Sequence, residues 1–359
     1  MKKTLFIIII IAAVAAYFIF REPFDEKYEK AKTMCELADY KTALPILKKA
    51  VNKYKNTSKH SDAVYWLAKC ETGINPSNVE LWQTVINVTT DKAVVSEGRY
   101  FLSKGDISAM EKYVRDYPNN PNSREFILEI AKNAVAKNDM NKAREMWQIL
   151  VDKYPDSTEA MDVIDELGKI NINQFFSFKA QPFTSFHTVK RGEYLSTIAK
   201  KEKTFVESIK RINQMTSDRI RPGVKLKIDK SKYSIDIDIS DNVLKLFRVF
   251  DGQTNYVKRY SVGTGKTDNT PRGNFKINLK QKNPTWYKPG GKAIPFGSKE
   301  NLLGTRWMGI DCPGFGIHGT WDPDSVGKPS SAGCVRLLNE DVEELFDIVP
   351  LGTPVIIHD

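Results

Sequence analysis

The chain has few of the residues that build metal centres and disulfide frameworks: four cysteines and four histidines in 359 residues. No CxxC pair and no Cys/His cluster occurs among them, which excludes a zinc finger or ribbon. No metal and no cofactor are therefore expected. No nucleic-acid-binding motif accompanies the net charge of +10, so that charge is not read as a DNA or RNA contact. Long apolar runs are missing except at the N-terminus, which excludes a polytopic membrane protein. A hydrophobic content of 41% with 27% charged residues excludes broad disorder.

The one exception is sixteen apolar residues from Leu5 to Phe20, preceded by Lys2 and Lys3 and followed by Arg21, Glu22 and Pro23. An apolar helix of this length needs a membrane or a partner, and the leading lysines hold its start in the cytoplasm. Ala13-Val14-Ala15 resembles a signal-peptidase site, yet the run continues past it. Residues 1–23 are expected to form a transmembrane signal anchor, with a cleaved signal peptide as the alternative, and either leaves the rest of the chain outside the cytoplasm. In an oxidising compartment Cys35 and Cys70 become disulfide candidates.

The charge excess is local. Residues 181–230 hold 12 Lys/Arg against 5 Asp/Glu, whereas residues 1–180 hold 26 against 24 and residues 231–359 hold 16 against 15. A basic module between two nearly neutral ones suggests an anionic polymer or surface as neighbour. Residues 24–172 show helical periodicity. Asp39-Tyr40-Lys41-Thr42-Ala43 with Tyr54 returns as Asp139-Met140-Asn141-Lys142-Ala143 with Tyr154, and Ala109 precedes a weaker copy. These alanine spacings are close to multiples of ~34 residues, the period of a helix-turn-helix array. The array loosely resembles tetratricopeptide repeats, which implies a spacer or a surface for a protein partner. Pro76 falls in a degenerate slot. Residues 173–184, with Phe175-Phe176-Ser177-Phe178 and Pro182, are read as a linker.

Residues 185–230 run from a short strand through Gly192 and Glu193 into two helices and return through Pro222-Gly223 to a second strand. This βααβ pattern resembles the lysin motif (LysM), a family that binds N-acetylglucosamine-containing glycans. The resemblance implies a sugar groove with Gly192 and Pro222-Gly223 at its lip. Members usually have Asp where this chain has Glu193.

From Tyr233 the hydrophobic period becomes two, with Ile235, Ile237 and Ile239 alternating with Asp236 and Asp238. Asp251-Gly252 is the turn dipeptide of a hairpin. A cysteine nucleophile needs a base, and His60, His187 and His358 lie in other contexts. His318 sits in Gly314-Phe315-Gly316-Ile317-His318-Gly319-Thr320, and Cys334 in Ser330-Ser331-Ala332-Gly333-Cys334-Val335-Arg336. Glycines leave a thiol exposed, Gly333 is expected to free backbone N–H groups for an oxyanion, and a nearby imidazole is expected to raise the thiolate fraction.

His318-Gly319-Thr320 followed by Ser331-x-Gly333-Cys334-Val335-Arg336 is similar to the signature of the L,D-transpeptidases. Val262-Gly263-Thr264-Gly265, Thr270-Pro271-Arg272-Gly273 and Leu303-Gly304-Thr305-Arg306-Trp307 extend the resemblance across residues 231–359. It implies that Cys334 attacks the bond between the third residue and D-Ala in a peptidoglycan tetrapeptide stem, with His318 as base oriented by the Gly319 carbonyl. Arg336, Ser331, Gly333, Thr320 and Trp307 are implied around the substrate. Ala332 departs from the His that many members carry there.

The expected architecture is multidomain: an N-terminal transmembrane helix, all-α repeats, a small βααβ LysM module and a mainly-β catalytic domain. The expected activity is an extracytoplasmic, cofactor-free cysteine acyltransferase that forms 3–3 cross-links or uses another amine acceptor. Its partners are stem peptides, glycan strands and the membrane. An L,D-carboxypeptidase and a non-catalytic wall-binding scaffold are the alternatives.

Overall fold

The computed structural model describes residues 23–266, 269–288 and 290–359. The N-terminal transmembrane helix of the expected architecture is corrected here: no helix among the described residues is long and apolar enough to cross a membrane. The longest of them spans Thr158–Phe176, nineteen residues, and Glu159, Asp162, Asp165, Glu166 and Lys169 make it a surface helix with one buried stripe. Residues 1–22, on which that expectation fell, lie outside the described residues. The chain divides near Asn133 into two compact units.

The first unit is helical: α1 (Phe24–Glu36), α2 (Tyr40–Lys53), α3 (His60–Ile74), α4 (Glu80–Val88), α5 (Lys92–Ser103), α6 (Ile107–Asp116) and most of α7 (Asn122–Ala136). Small residues let the first three helices close on one another, with Ala31, Ala43, Ala50 and Ala63 fully buried around Leu47 and Tyr28. Tyr54 follows α2 and packs edge-on against Tyr28, ring centroids 5.3 Å apart. Next along, Trp82 stacks on Phe101 at 4.6 Å and gives its indole N–H to the Thr72 hydroxyl at 2.8 Å. Replacing this buried ring with alanine is expected to cost about 3–5 kcal/mol. Asp91 and Asp106 cap α5 and α6 by accepting N–H groups of the first turn.

The second unit begins with α8 (Met140–Lys153) and α9 (Thr158–Phe176). Helix α9 runs through Asn173–Phe176, the start of the expected linker, because Ile172 and Phe175 are buried in the core of the following domains. The basic module follows as β1 (Thr184–Thr188), α10 (Leu195–Glu202), α11 (Val206–Ile212) and β2 (Lys225–Asp229), the two strands antiparallel. Lys227, completely buried on β2, donates to the Ser177 and Phe175 carbonyls at 2.7 and 3.2 Å. A cation at the C-terminus of α9 thus satisfies the orphan carbonyls there.

The C-terminal domain is built on an eight-stranded sheet in the order β13-β11-β10-β7-β14-β3-β4-β5. Its strands are β3 (Lys232–Asp238), β4 (Val243–Phe250), β5 (Gln253–Ser261), β7 (Gly273–Lys282), β10 (Arg306–Ile310), β11 (Gly316–Thr320), β13 (Val335–Leu338) and β14 (Pro354–His358). Asp251 and Gly252 join β4 to β5 with φ of 50° and 72°, as the primed hairpin turn requires. The exposed edge that β5 would leave is covered by α9, whose Asn171 amide donates to the Tyr256 and Val257 carbonyls at 3.2 and 3.1 Å. Short β6 (Thr264–Gly265) pairs in parallel with β12 (Pro329–Ser331), β8 (Trp286–Tyr287) pairs antiparallel with β9 (Ala293–Ile294), and α12 (Asn339–Ile348) packs behind β10 and β11. Lys280 on β7 donates to the Phe346 and Val349 carbonyls at 2.6 and 2.7 Å, so a second, half-buried lysine closes the end of α12.

Candidate active site

β11 and β13 are parallel neighbours, with Ile317 opposite Val335 and His318 opposite Arg336. Side chains alternate along a strand, so Ile317, Val335 and Leu337 enter the core while His318 and Arg336 share the other face. Cys334, two residues before Arg336, joins that face from the end of the loop. On the far side of His318, Trp307 of β10 is its cross-strand partner, and the two rings stack at 5.7 Å with 27° between planes. The glycines around the motif make room for this ring, since a Cβ on Gly316 would lie 2.8 Å from the Trp307 indole.

His318 is 3% exposed, and its Nδ1 lies 2.6 Å from the Gly319 carbonyl. A carbonyl only accepts, so Nδ1 carries the proton and Nε2 keeps the lone pair. Burial lowers the pKa of His318 to about 4; the Arg336 charge acts in the same direction, and the Gly319 and Leu303 carbonyls oppose it. The ring is neutral over the physiological range.

Burial also pushes the Cys334 thiol up, against the smaller opposing effects of the Gly316 N–H and the Arg336 charge. Its Sγ contacts the Gly314 carbonyl at 3.6 Å. The expected rise in thiolate fraction is therefore reversed: both shifts disfavour an imidazolium–thiolate pair, and this face holds a thiol and a neutral imidazole.

The remaining sequence-predicted residues divide by what they touch. Ser331 turns inward, giving its hydroxyl to the Cys334 carbonyl at 2.6 Å and receiving the Gly333 N–H at 2.9 Å. The Gly333 N–H is thus taken up by the loop rather than freed for an oxyanion. Gly333 itself has φ of 130°, and a Cβ there would strike the Phe315 ring at 2.6 Å and the Asn269 carbonyl at 2.7 Å. The Thr320 hydroxyl bonds its own loop, accepting the Asp322 N–H at 3.1 Å. Arg336 has a buried Nε with no hydrogen-bond partner, an unmet donor beside the thiol. Cys312 is half-buried and packs against the main core near Phe315.

Sequence reasoning passed over three contributors. Thr270 accepts the Gly265 N–H at 2.7 Å and fixes the strand under Gly333. Leu303 presents a carbonyl to His318. Asn339 bonds both Thr305 and Thr320. The only sequence signal for the first two was their membership of motifs already quoted; Asn339 lay outside them.

A family model described as the L,D-transpeptidase catalytic domain matches residues 232–357, preceded by a LysM domain over 187–229 and a tetratricopeptide repeat over 125–157. YqjB of Bacillus subtilis, provisionally named an L,D-transpeptidase, is 48% identical over 106 residues, which are 28% of this chain and 58% of that protein. The chain thus spans somewhat over half the length of that relative. YkuD of Bacillus licheniformis, named in the same way, is 35% identical over 180 residues, which are 48% of this chain and 97% of that one. A solved L,D-transpeptidase from Mycobacterium smegmatis is 24% identical, covering 38% of this chain and 64% of that chain with a TM-score of 0.31, too low to carry an argument. With nearly all of the Bacillus licheniformis relative matched at 35% identity, and with residues 232–357 matching the catalytic-domain model, the chain belongs to the L,D-transpeptidase family.

Proposed function

We propose that this chain is a peptidoglycan L,D-transpeptidase in which Cys334 is the nucleophile and His318 the general base. The observation that carries the reading is one sheet face holding a thiol, a guanidinium whose buried Nε has no hydrogen-bond partner, and a neutral imidazole whose proton is pinned on Nδ1. A thiol with a raised pKa attacks efficiently only if its proton leaves as the S–C bond forms. Nε2 of His318 takes that proton. The imidazolium then returns it to the departing amine of D-Ala, leaving a thioester between Cys334 and the third stem residue. In the second half, the side-chain amine of another stem attacks the thioester, His318 accepts its proton, and the thiol is restored. Arg336 offers its unmet donor to a stem carboxylate, and Trp307 keeps water from one side of the imidazole. Gly319 orients the base; Ser331, Gly333 and Thr320 hold the loops in register.

The lysin-motif module and its charge excess support work at the cell wall, with glycan strands as second partner and the helical repeats as spacer or protein-docking surface. Intact-mass measurement of the full-length chain with a carbapenem and with a tetrapeptide stem tests the reading. Wild type should gain one covalent adduct and Cys334→Ala none. An adduct that persists in Cys334→Ala, or none in wild type, removes the proposal. Product analysis then separates amine acceptors from water, the latter making the enzyme an L,D-carboxypeptidase.

A further inference from the structure

Asn339 is the first residue of α12, immediately after the strand that carries Arg336. Its amide does not cap that helix: the N-cap position is Leu338, and no side chain caps it. Instead the amide reaches two distant backbone segments. Oδ1 accepts the Thr305 N–H at 3.0 Å, and Nδ2 donates to the Thr320 carbonyl at 2.9 Å.

Those segments are the ones that face the imidazole. Thr320 follows Gly319, whose carbonyl holds Nδ1 of His318 at 2.6 Å. Thr305 lies two residues after Leu303, whose carbonyl is the other backbone acceptor toward the same ring. The fit is tight on both sides. A Cβ on Gly319 would come within 2.2 Å of Asn339 Oδ1, and one on Gly304, at φ of 61°, within 2.3 Å. Both glycines are the space that this amide occupies.

We propose that Asn339 is a positioning residue for the reaction: by tying Leu303–Thr305 to Gly319–Thr320 it fixes the orientation of His318 and keeps water off the ring. The proposal rests on reading His318 as the base of Cys334. With the Gly319 carbonyl held in place, Nδ1 keeps the proton and the ring has little freedom to tilt, which is what proton transfer to Nε2 demands. Without the clamp the turn at Gly304 loosens, water reaches the ring, and protonation becomes easier.

The experiment measures the rate of Cys334 acylation by a carbapenem against pH, using full-length wild type, Asn339→Ala, Asn339→Asp, His318→Ala and Val342→Ala. Val342 is buried on the same helix beside Gly319 and makes neither polar contact, so it serves as a control for lost packing without loss of the amide's hydrogen bonds. Asn339→Ala should acylate about 10- to 100-fold more slowly. Its acid limb should also move to higher pH, as a hydrated imidazole titrates closer to its ordinary value. Asn339→Asp keeps the acceptor for Thr305 and should fall between. An Asn339→Ala profile with the wild-type acid limb, or a Val342→Ala variant that reproduces the same movement, overturns the proposal. If His318→Ala itself keeps the wild-type profile, the reading of the base fails, and the proposal falls with it by a distinguishable result.

Discussion

Two buried imidazoles in this chain have opposite surroundings. His318, in the catalytic sheet, faces backbone carbonyls and a guanidinium and is held neutral, with its pKa lowered by burial to about 4. His187, in the lysin-motif module, faces a carboxylate at each ring nitrogen, Glu193 at 2.8 Å and Glu202 at 2.9 Å. Lys230 and Lys201 flank the same carboxylates, and Glu193 also accepts the Lys190 N–H. One histidine is the proposed acceptor of a proton; the other closes a salt-bridged knot between β1, the Gly192 turn and the end of α10. Burial alone distinguishes neither, because the neighbouring charges decide what a buried ring does.

Removing His318 gives the largest expected effect. His318→Ala should lower the carbapenem acylation rate by roughly 10²–10⁴-fold at neutral pH, in the range of a lost general base. A rate within twofold of wild type, by stopped-flow or timed mass measurement, would erase the contrast with His187.

His187→Ala should act on stability instead, leaving two carboxylates without the ring that bridges them. A loss of about 2 kcal/mol is expected in denaturant unfolding of the full-length chain, with acylation at neutral pH unchanged. Comparable loss of acylation would show that the module and the catalytic face are coupled.

Acid should sharpen the comparison further. The folded pKa of His318 lies below its unfolded value of about 6.5, so between those values the unfolded chain binds more protons. Stability from this group is complete above pH ~6.5 and declines as pH falls toward about 4. Melting scans across that window should show the decline in wild type and a flatter profile in His318→Asn.

Glu193→Asp is the mildest change, restoring the residue that lysin motifs usually carry. Hydrogen bonding to His187 is the main cause of the lowering of the Glu193 pKa to about 2. The shorter side chain cannot hold both the ring and the Lys190 N–H, so the melting temperature should fall less than in His187→Ala. An equal fall would mean that the carboxylate, not the imidazole, carries the knot.

Much of the candidate catalytic face was legible because it is written locally. The glycine-flanked His318 and Cys334, the alternation from Tyr233 and the Asp251-Gly252 turn all depend on near neighbours in the chain. Asn339 was illegible: its partners Thr305 and Thr320 are 34 and 19 residues away. The thiol's protonation state was misjudged for a related reason. An imidazole in the sequence suggests activation, but desolvation by the packed loop outweighs the N–H and the guanidinium that favour the thiolate. The end of α9 was hidden too, since its last turn is stabilised by Lys227 from a strand fifty residues on.

By itself the sequence determined the order of modules, the family signature and the identity of the candidate nucleophile and base, because spacing and residue type are properties of a local chain. Only the tertiary structure decided which tautomer His318 presents, that the Gly333 N–H is spent on Ser331, and that Arg336 is left with an unmet donor. Those outcomes depend on which strands become neighbours and how completely they exclude water, and neither is encoded within any one segment.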